Sequence, residues 1–143
     1  IVLTSLLSII VAYADYEYAS VYRDFSELAK GYKTIDNKIW FSGHGGFQYY
    51  MQQQGYTILG FNDTSPKQGD IIIKAQIPSP RKISPLLNER LKFIGTQSYT
   101  GTLPLRVHNP KARAGFYTYG AGFLPYSLSN SSLEYFEIYK VVE

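Results

Sequence analysis

The sequence predicts an α/β domain with a mixed, partly parallel sheet flanked by helices. Two observations support this prediction: strand-like and helix-like segments alternate between residues 38 and 73, and an amphipathic helical pattern precedes them. Such alternation favours parallel pairing of neighbouring strands, because each helix returns the chain to the same edge of the sheet. The 143 residues, 45% of them hydrophobic, suffice for one compact domain.

The individual elements follow from periodicity and from glycine and proline positions. Apolar side chains recur at three- and four-residue steps from Asp15 to Lys30, which predicts a helix that Gly31 ends. Strands are predicted at 38–41, 56–59, 71–73, 91–94, 103–107 and 133–142, and further helices at 47–54 and 86–90. Pro78, Pro80 and Pro85 interrupt the pattern, and residues 109–130 are predicted to form a long surface loop.

Composition excludes several functional classes. Only 17% of the residues are charged, the net charge is +3, and the basic residues are scattered, whereas nucleic-acid binding requires a concentrated basic face. We therefore expect no nucleic-acid partner. The chain has no cysteine, which excludes a thiol nucleophile, disulfides and thiolate-held metals.

Residues 1–14 carry no charge, and Asp15 begins a charged stretch. As a helix they would span about 21 Å, short of the roughly 30 Å of a bilayer core. Three interpretations remain: the end of a truncated transmembrane helix, a signal-peptide core ending at Ala12–Ala14, or a buried apolar segment. The start at Ile1 without a basic leader favours the first, so we expect residues 15–143 to form the α/β domain after a membrane helix.

A glycine-rich turn between the strand at 38–41 and the helix at 47–54 is the most informative local feature. Glycines there either permit a tight turn with positive φ, or let backbone amides approach an anion or a sugar at the helix start. The candidate ligand-binding residues are Gly43, His44, Gly46, Gln48 and Tyr49. The aromatic side chains could stack on a sugar ring, but on a helix Phe47 and Tyr50 are expected to face the core.

Known catalytic and cofactor motifs are absent from the sequence. Gln48 stands where a dinucleotide fingerprint has its third glycine, and neither a P-loop nor a Gly-x-Ser-x-Gly elbow occurs. His44 and His108 lack metal-ligand spacing, so no metal site and no cofactor is predicted in this chain. Asp63 and Asp70 flank a turn, where capping of backbone amides is the usual role of aspartate.

Four segments together resemble the C-terminal soluble domain of bacterial multi-pass membrane glycosyltransferases, relatives of the protein mannosyltransferase and aminoarabinose transferase group. The resemblance covers most of residues 14–142, and Gly45 departs from it where the family has an aromatic residue. The segments are Ala14–Ala19 (ADYEYA), Trp40–Met51 (WFSGHGGFQYYM), Gln68–Asp70 before a β-branched strand, and Leu124–Ser129 (LPYSLS) followed by Leu133–Phe136 (LEYF).

The resemblance implies a parent enzyme that moves a sugar from a polyprenyl-phosphate carrier to a glycan, lipid or protein acceptor. The catalytic carboxylate of that family lies between early transmembrane helices, so no catalytic residue is assigned here and the use of a divalent metal by the parent is left open. This chain would be a membrane-anchored domain on the periplasmic or extracellular side, with the N-terminal transmembrane part of the same protein as its partner. The glycine turn would then contact the acceptor.

Two other functional classes remain open on the sequence. A membrane-tethered or secreted binding module without enzymatic activity is consistent with the 14 tyrosines and the missing catalytic set. A small soluble α/β enzyme would use the glycine turn directly, but no nucleophile or cofactor motif accompanies the glycines.

Overall fold

A computed structural model describes residues 1–77 and 82–143, so the predicted breakers Pro78 and Pro80 lie outside the described residues. The α-helices are α1 (Val2–Leu28), α2 (Gly45–Gln53) and α3 (Pro85–Asn88), and 3₁₀ turns lie at Ala29–Tyr32 and Tyr119–Ala121. The strands are β1 (Ile39–Ser42), β2 (Thr57–Ile58), β3 (Ile71–Ala75), β4 (Leu91–Tyr99), β5 (Leu105–Arg106), β6 (His108–Asn109), β7 (Ala114–Gly115), β8 (Ser127–Leu128) and β9 (Glu134–Val141).

Five strands form one sheet in the order β2-β1-β3-β9-β4. β1 is parallel to β2 and to β3, with Trp40 opposite Thr57 and Ile72, whereas β3 is antiparallel to β9, with Ile72 opposite Tyr139. The prediction of a mixed, partly parallel sheet with helices is therefore confirmed. Two smaller sheets pair β5 with β8 and β6 with β7, both antiparallel.

Several boundaries differ from the sequence prediction for physical reasons. α1 runs unbroken from Val2, since no glycine or proline separates the apolar residues from the charged ones. β4 extends to Tyr99 although polar residues follow Ile94, because an edge strand tolerates polar side chains. The predicted loop at 109–130 is largely irregular but contains β7, β8 and a 3₁₀ turn.

The chain divides into two compact units. The first unit comprises residues 1–21 and 98–134, and the second unit comprises residues 22–97 and 135–143. The assignment of residues 15–143 to one domain stays a prediction.

The second unit has apolar packing on both faces of the large sheet. On one face, Phe25 stacks on Phe136 with ring centroids 3.7 Å apart, and Phe47 meets Phe41 edge-on at 5.5 Å. All four phenylalanines are completely buried. The residues of the other face are Trp40, Leu59, Ile72, Leu87 and Val141.

The first unit is held together by buried polar contacts as well as apolar ones. The Arg106 side chain is buried and donates hydrogen bonds to the carbonyls of Leu103, Leu105 and Ser131. Glu17 of α1 accepts a hydrogen bond from the backbone N–H of Thr102 at 2.8 Å. The Arg106 bonds join two stretches of irregular backbone, and the Glu17 bond attaches Thr102 to α1; together they compensate for the shortness of the strands.

Asp70 joins the starts of β1 and β3. Its buried carboxylate accepts hydrogen bonds from the backbone N–H groups of Lys38 and Lys67 and from the Trp40 indole, at 2.8–2.9 Å. Burial opposes ionisation, but these three donors and the nearby Lys38 charge outweigh it and lower the pKa of Asp70. The predicted capping role of this aspartate is therefore confirmed.

Replacing Asp70 with asparagine is expected to lower the free energy of unfolding at pH 7 by about 1–3 kcal/mol, because an amide satisfies these three donors poorly. The carboxylate's contribution is present above the unfolded pKa of about 3.9, and it is lost as the pH falls through the lower folded value. Urea denaturation at pH 7 and pH 3 measures both effects. Asp36→Asn, at an exposed aspartate, is the control; equal stability of Asp70→Asn and the parent chain at pH 7 would contradict the assignment.

Candidate functional site

The predicted binding residues lie where β1 leads into α2. His44 is the last residue before α2 and has extended backbone angles, φ −131° and ψ 179°, without a capping hydrogen bond from its side chain. The first N–H groups of α2 point back toward this residue, since the first turn of a helix has no intrahelical acceptors for them. Donors for a ligand oxygen are therefore available at the start of α2.

The glycines of the turn meet different structural requirements. Gly43 is buried, and a Cβ there would lie 2.4 Å from the Phe47 ring. Gly45 has φ +59°, which confirms the tight-turn interpretation at this position. A Cβ on Gly46 would lie 3.3 Å from the Tyr22 ring. Packing and backbone geometry thus account for Gly43 and Gly45 without a ligand.

The side chains of His44, Gln48 and Tyr49 are the accessible part of the predicted site. His44 and Tyr49 are exposed and Gln48 is half-buried; His44 directly precedes α2, and Gln48 is the fourth residue of that helix. Tyr49 contacts Tyr50 edge-on, with ring centroids 5.2 Å apart. An imidazole, an amide and an aromatic ring at a helix start can bind a sugar hydroxyl or an oxyanion.

The aromatic residues of α2 divide between core and surface. Phe47 is completely buried, which confirms its predicted place in the core. Tyr50 is half-buried, so its predicted core packing is only partial, and Tyr49, a candidate ligand-binding residue, is 59% exposed. Position on the helix decides which aromatic residues are buried, because Phe47 and Met51, four residues apart, form the face of α2 that packs against the sheet.

A basic groove of about 560 Å³, which was not predicted from the sequence, lies at the other end of α2. Lys30 pairs with Glu27, whose pKa is lowered chiefly by that hydrogen bond, and Lys33 donates to the carbonyl of Asn37. The groove therefore retains a moderate positive charge. The signal in the sequence that could have indicated this groove is the occurrence of three lysines within the nine residues 30–38. The lining residues are Lys30, Lys33, Lys38, Ile39, Gln54, Gly55, Tyr56 and Thr57.

An apolar groove of about 440 Å³ lies in the first unit, alongside the N-terminal half of α1. Next to the Asp15 end of this groove, the Tyr117 hydroxyl donates a hydrogen bond to the Asp15 carboxylate. Burial and this hydrogen bond raise the pKa of Tyr117 to about 12, so the phenol keeps its proton. The lining residues are Thr4, Leu7, Ser8, Val11, Ala12, Asp15, Val107, Phe116, Pro125 and Tyr126.

His108, the second histidine, is buried between aromatic rings of the first unit. Its ring centroid lies 5.7 Å from that of Tyr18 and 5.8 Å from that of Tyr117, and its Nδ1 has no hydrogen-bond partner among the described residues. Burial lowers the pKa of His108, so the imidazole is neutral at pH 7. Within residues 1–77 and 82–143, no group of three or more histidine, aspartate or glutamate side chains is arranged to hold a metal ion.

Comparisons with protein-family models, with curated proteins and with solved structures give no match to this chain. In the part of the chain that the structure describes, no helix is both long and apolar enough to span a bilayer. The apolar part of α1 stops at Asp15, although the helix itself continues to Leu28.

Proposed function

We propose that this chain is a non-catalytic, extracytoplasmic domain of a membrane glycosyltransferase. The parent enzyme transfers a sugar from a polyprenyl-phosphate donor to an extracytoplasmic acceptor, and residues 1–14 form the end of its preceding transmembrane helix. The resemblance of four sequence segments to such enzymes motivates the proposal. The observation that carries it is the exposure of the uncharged start of α1.

Every residue from Ile1 to Ile10 is exposed, and none is charged. Thr4, Ser5 and Ser8 are the polar side chains among them and lie on one side of the helix. The other side is a wide, exposed apolar face formed by Val2, Leu3, Leu6, Ile9 and Ile10. An apolar face of this width requires apolar surroundings. A lipid environment that begins above Asp15 supplies them, and this supports a membrane anchor rather than a free-standing soluble enzyme.

In this proposal the second unit supplies polar contacts for the acceptor. His44 and Gln48 offer hydrogen bonds at the start of α2, and Tyr49 offers a ring on which a sugar can stack. The basic groove at the end of α2 has a charge that complements a phosphate on the acceptor or on the carrier. The catalytic carboxylate is supplied by the transmembrane part, so these residues bind and orient substrate and take no part in bond making.

Substituting alanine for both His44 and Gln48 in the full-length enzyme is expected to raise the acceptor KM about tenfold, since two hydrogen bonds of roughly 0.5–1.5 kcal/mol each are lost. The turnover number should change less, because the substituted residues do not contact the reacting atoms. Steady-state kinetics at varied acceptor concentration measures both constants. Gln53→Ala, at an exposed position of α2, is the control. Unchanged KM and turnover in the double variant would refute the assignment of this site.

A membrane-tethered or secreted binding module is the second candidate, because an exposed apolar helix also suits a tether. The gene sequence upstream of the codon for Ile1 separates the two. Several apolar segments of about 20 residues there support the transferase, and a single basic leader directly upstream supports the module.

A further inference from the structure

We propose that the aromatic loop, defined as residues 116–128, lies in the headgroup region of the lipid bilayer beside the first turns of α1. This inference rests on the proposed function for the membrane anchor. It adds a second membrane contact, formed by a segment that is distant from α1 in sequence but belongs to the same unit.

The apolar groove fixes the position of the loop along α1. Phe116, Pro125 and Tyr126 line this groove together with Leu7 and Val11 of the helix. The loop therefore lies beside the turns of α1 between Thr4 and Asp15, and Tyr117 bonds to Asp15 where the uncharged stretch ends. Where those turns contact lipid, the neighbouring loop reaches the same depth.

The composition and exposure of the loop suit the bilayer interface. No charged residue occurs between Ala114 and Leu133. Tyr119, Phe123 and Leu128 are 86%, 94% and 80% exposed, which is unusual for side chains of this size. Tyrosine favours the headgroup region, where its ring is in apolar surroundings and its hydroxyl is solvated. The irregular backbone limits the depth, because unpaired N–H and C=O groups are costly in the hydrocarbon core.

Backbone hydrogen bonds give the loop a defined shape. The N–H of Gly115 donates to the Leu124 carbonyl at 2.7 Å, and the N–H of Leu124 donates to the Arg113 carbonyl at 3.3 Å. The 3₁₀ turn Tyr119–Ala121 lies between these anchor points, with a further bond from the Gly122 N–H to the Tyr119 carbonyl. The exposed rings therefore project from a turn whose shape is defined by backbone hydrogen bonds.

Site-specific fluorescence in vesicles tests this placement. Because the chain has no cysteine, single cysteines at Phe123, Ile9 and Ala19 can each be labelled with an environment-sensitive fluorophore. Phe123 and Ile9 are 94% and 66% exposed, and Ala19 is also exposed, so the substitutions disturb little packing. Ala19 follows Ile9 by ten residues on α1, which is about 15 Å along the helix axis. The labelled full chains are reconstituted into phosphatidylcholine vesicles containing phosphatidylglycerol, with and without lipids that carry a nitroxide quencher at the top of the acyl chain.

We expect the probes at positions 123 and 9 to lose most of their emission to the quencher, and the probe at 19, further along α1 in the same unit, to lose much less. Quenching at 9 without quenching at 123 overturns the loop proposal and leaves the membrane anchor intact; it is the result expected if the loop faces another protein segment. No quenching at 9 contradicts the anchor and the loop together. Equal quenching at 19 and 123 overturns the loop proposal, because it indicates non-specific adsorption of the first unit to the vesicle.

Discussion

Replacing Phe47 with alanine is expected to lower the free energy of unfolding by about 3–5 kcal/mol, a large part of the 5–15 kcal/mol typical of a domain. The Phe47 ring is completely buried and contacts the rings of Tyr22, Phe25, Phe41 and Phe136, with centroids 5.3–6.2 Å away. Removal of the Phe47 ring leaves a cavity that the neighbouring rings, which are themselves held by the packing against the sheet, cannot fill.

Urea denaturation of the full chain in mild detergent, followed by tryptophan fluorescence, measures this effect. Trp40 is the only tryptophan and belongs to the same unit as Phe47. Gln53→Ala, on the exposed side of the same helix, should change the unfolding free energy by less than about 0.5 kcal/mol. If Phe47→Ala lowered the unfolding free energy as little as the control does, Phe47 and its four neighbouring rings would not form a single packed core.

The second large effect is expected at Gly122, where alanine should destabilise the first unit by about 2–4 kcal/mol. Gly122 has φ +156° and ψ 169°, a region that side chains disfavour. A Cβ there would lie 1.9 Å from the carbonyl oxygen of Arg113, which is backbone and cannot rotate away. The hydrogen bonds that close the loop at Gly115 and Leu124 should therefore break.

Amide hydrogen exchange of the full chain measures the loss locally, because the Gly115 and Leu124 amides are protected only while the loop is closed. Exchange at both should become at least about tenfold faster in Gly122→Ala. Gly120→Ala is the matched control: its Cβ would meet only the Thr118 hydroxyl, at an ordinary 3.5 Å. Unchanged protection in Gly122→Ala would mean that the backbone crossing is not as close as described.

Local sequence signals predicted most elements of the second unit. The run Ile71–Ile73 and the strand before the glycine turn were recognisable because β-branched and aromatic residues lie between turn residues. The continuous course of α1 was foreseeable for a related reason, since no helix breaker interrupts it. The glycine turn was also placed correctly, although α2 begins at Gly45 rather than at Phe47.

The candidate sites are formed by tertiary contacts that could not be predicted from the sequence. Gly43 looked like a ligand-binding glycine, but the Phe47 ring occupies the space that a Cβ would need. In the basic groove, Lys38 lies near Tyr56, and that proximity depends on the parallel pairing of β1 and β2. The loop at 109–130 had no periodicity from which to predict its paired strands.

The sequence by itself determined the secondary structure of the second unit, the uncharged character of residues 1–14 and the turn at Asp70, where the Lys67 N–H donates to the carboxylate. Each depends on residues that are neighbours in the chain, where helical and strand periods and turn preferences act directly. The bonds that Asp70 accepts from Lys38 and Trp40 depend instead on the pairing of β1 with β3. Only the tertiary structure decided which side chains are exposed and which segments are adjacent. The aromatic loop lies beside α1 although about 100 residues separate them, because hydrogen bonds and side-chain packing within the first unit, and no local preference, bring them together.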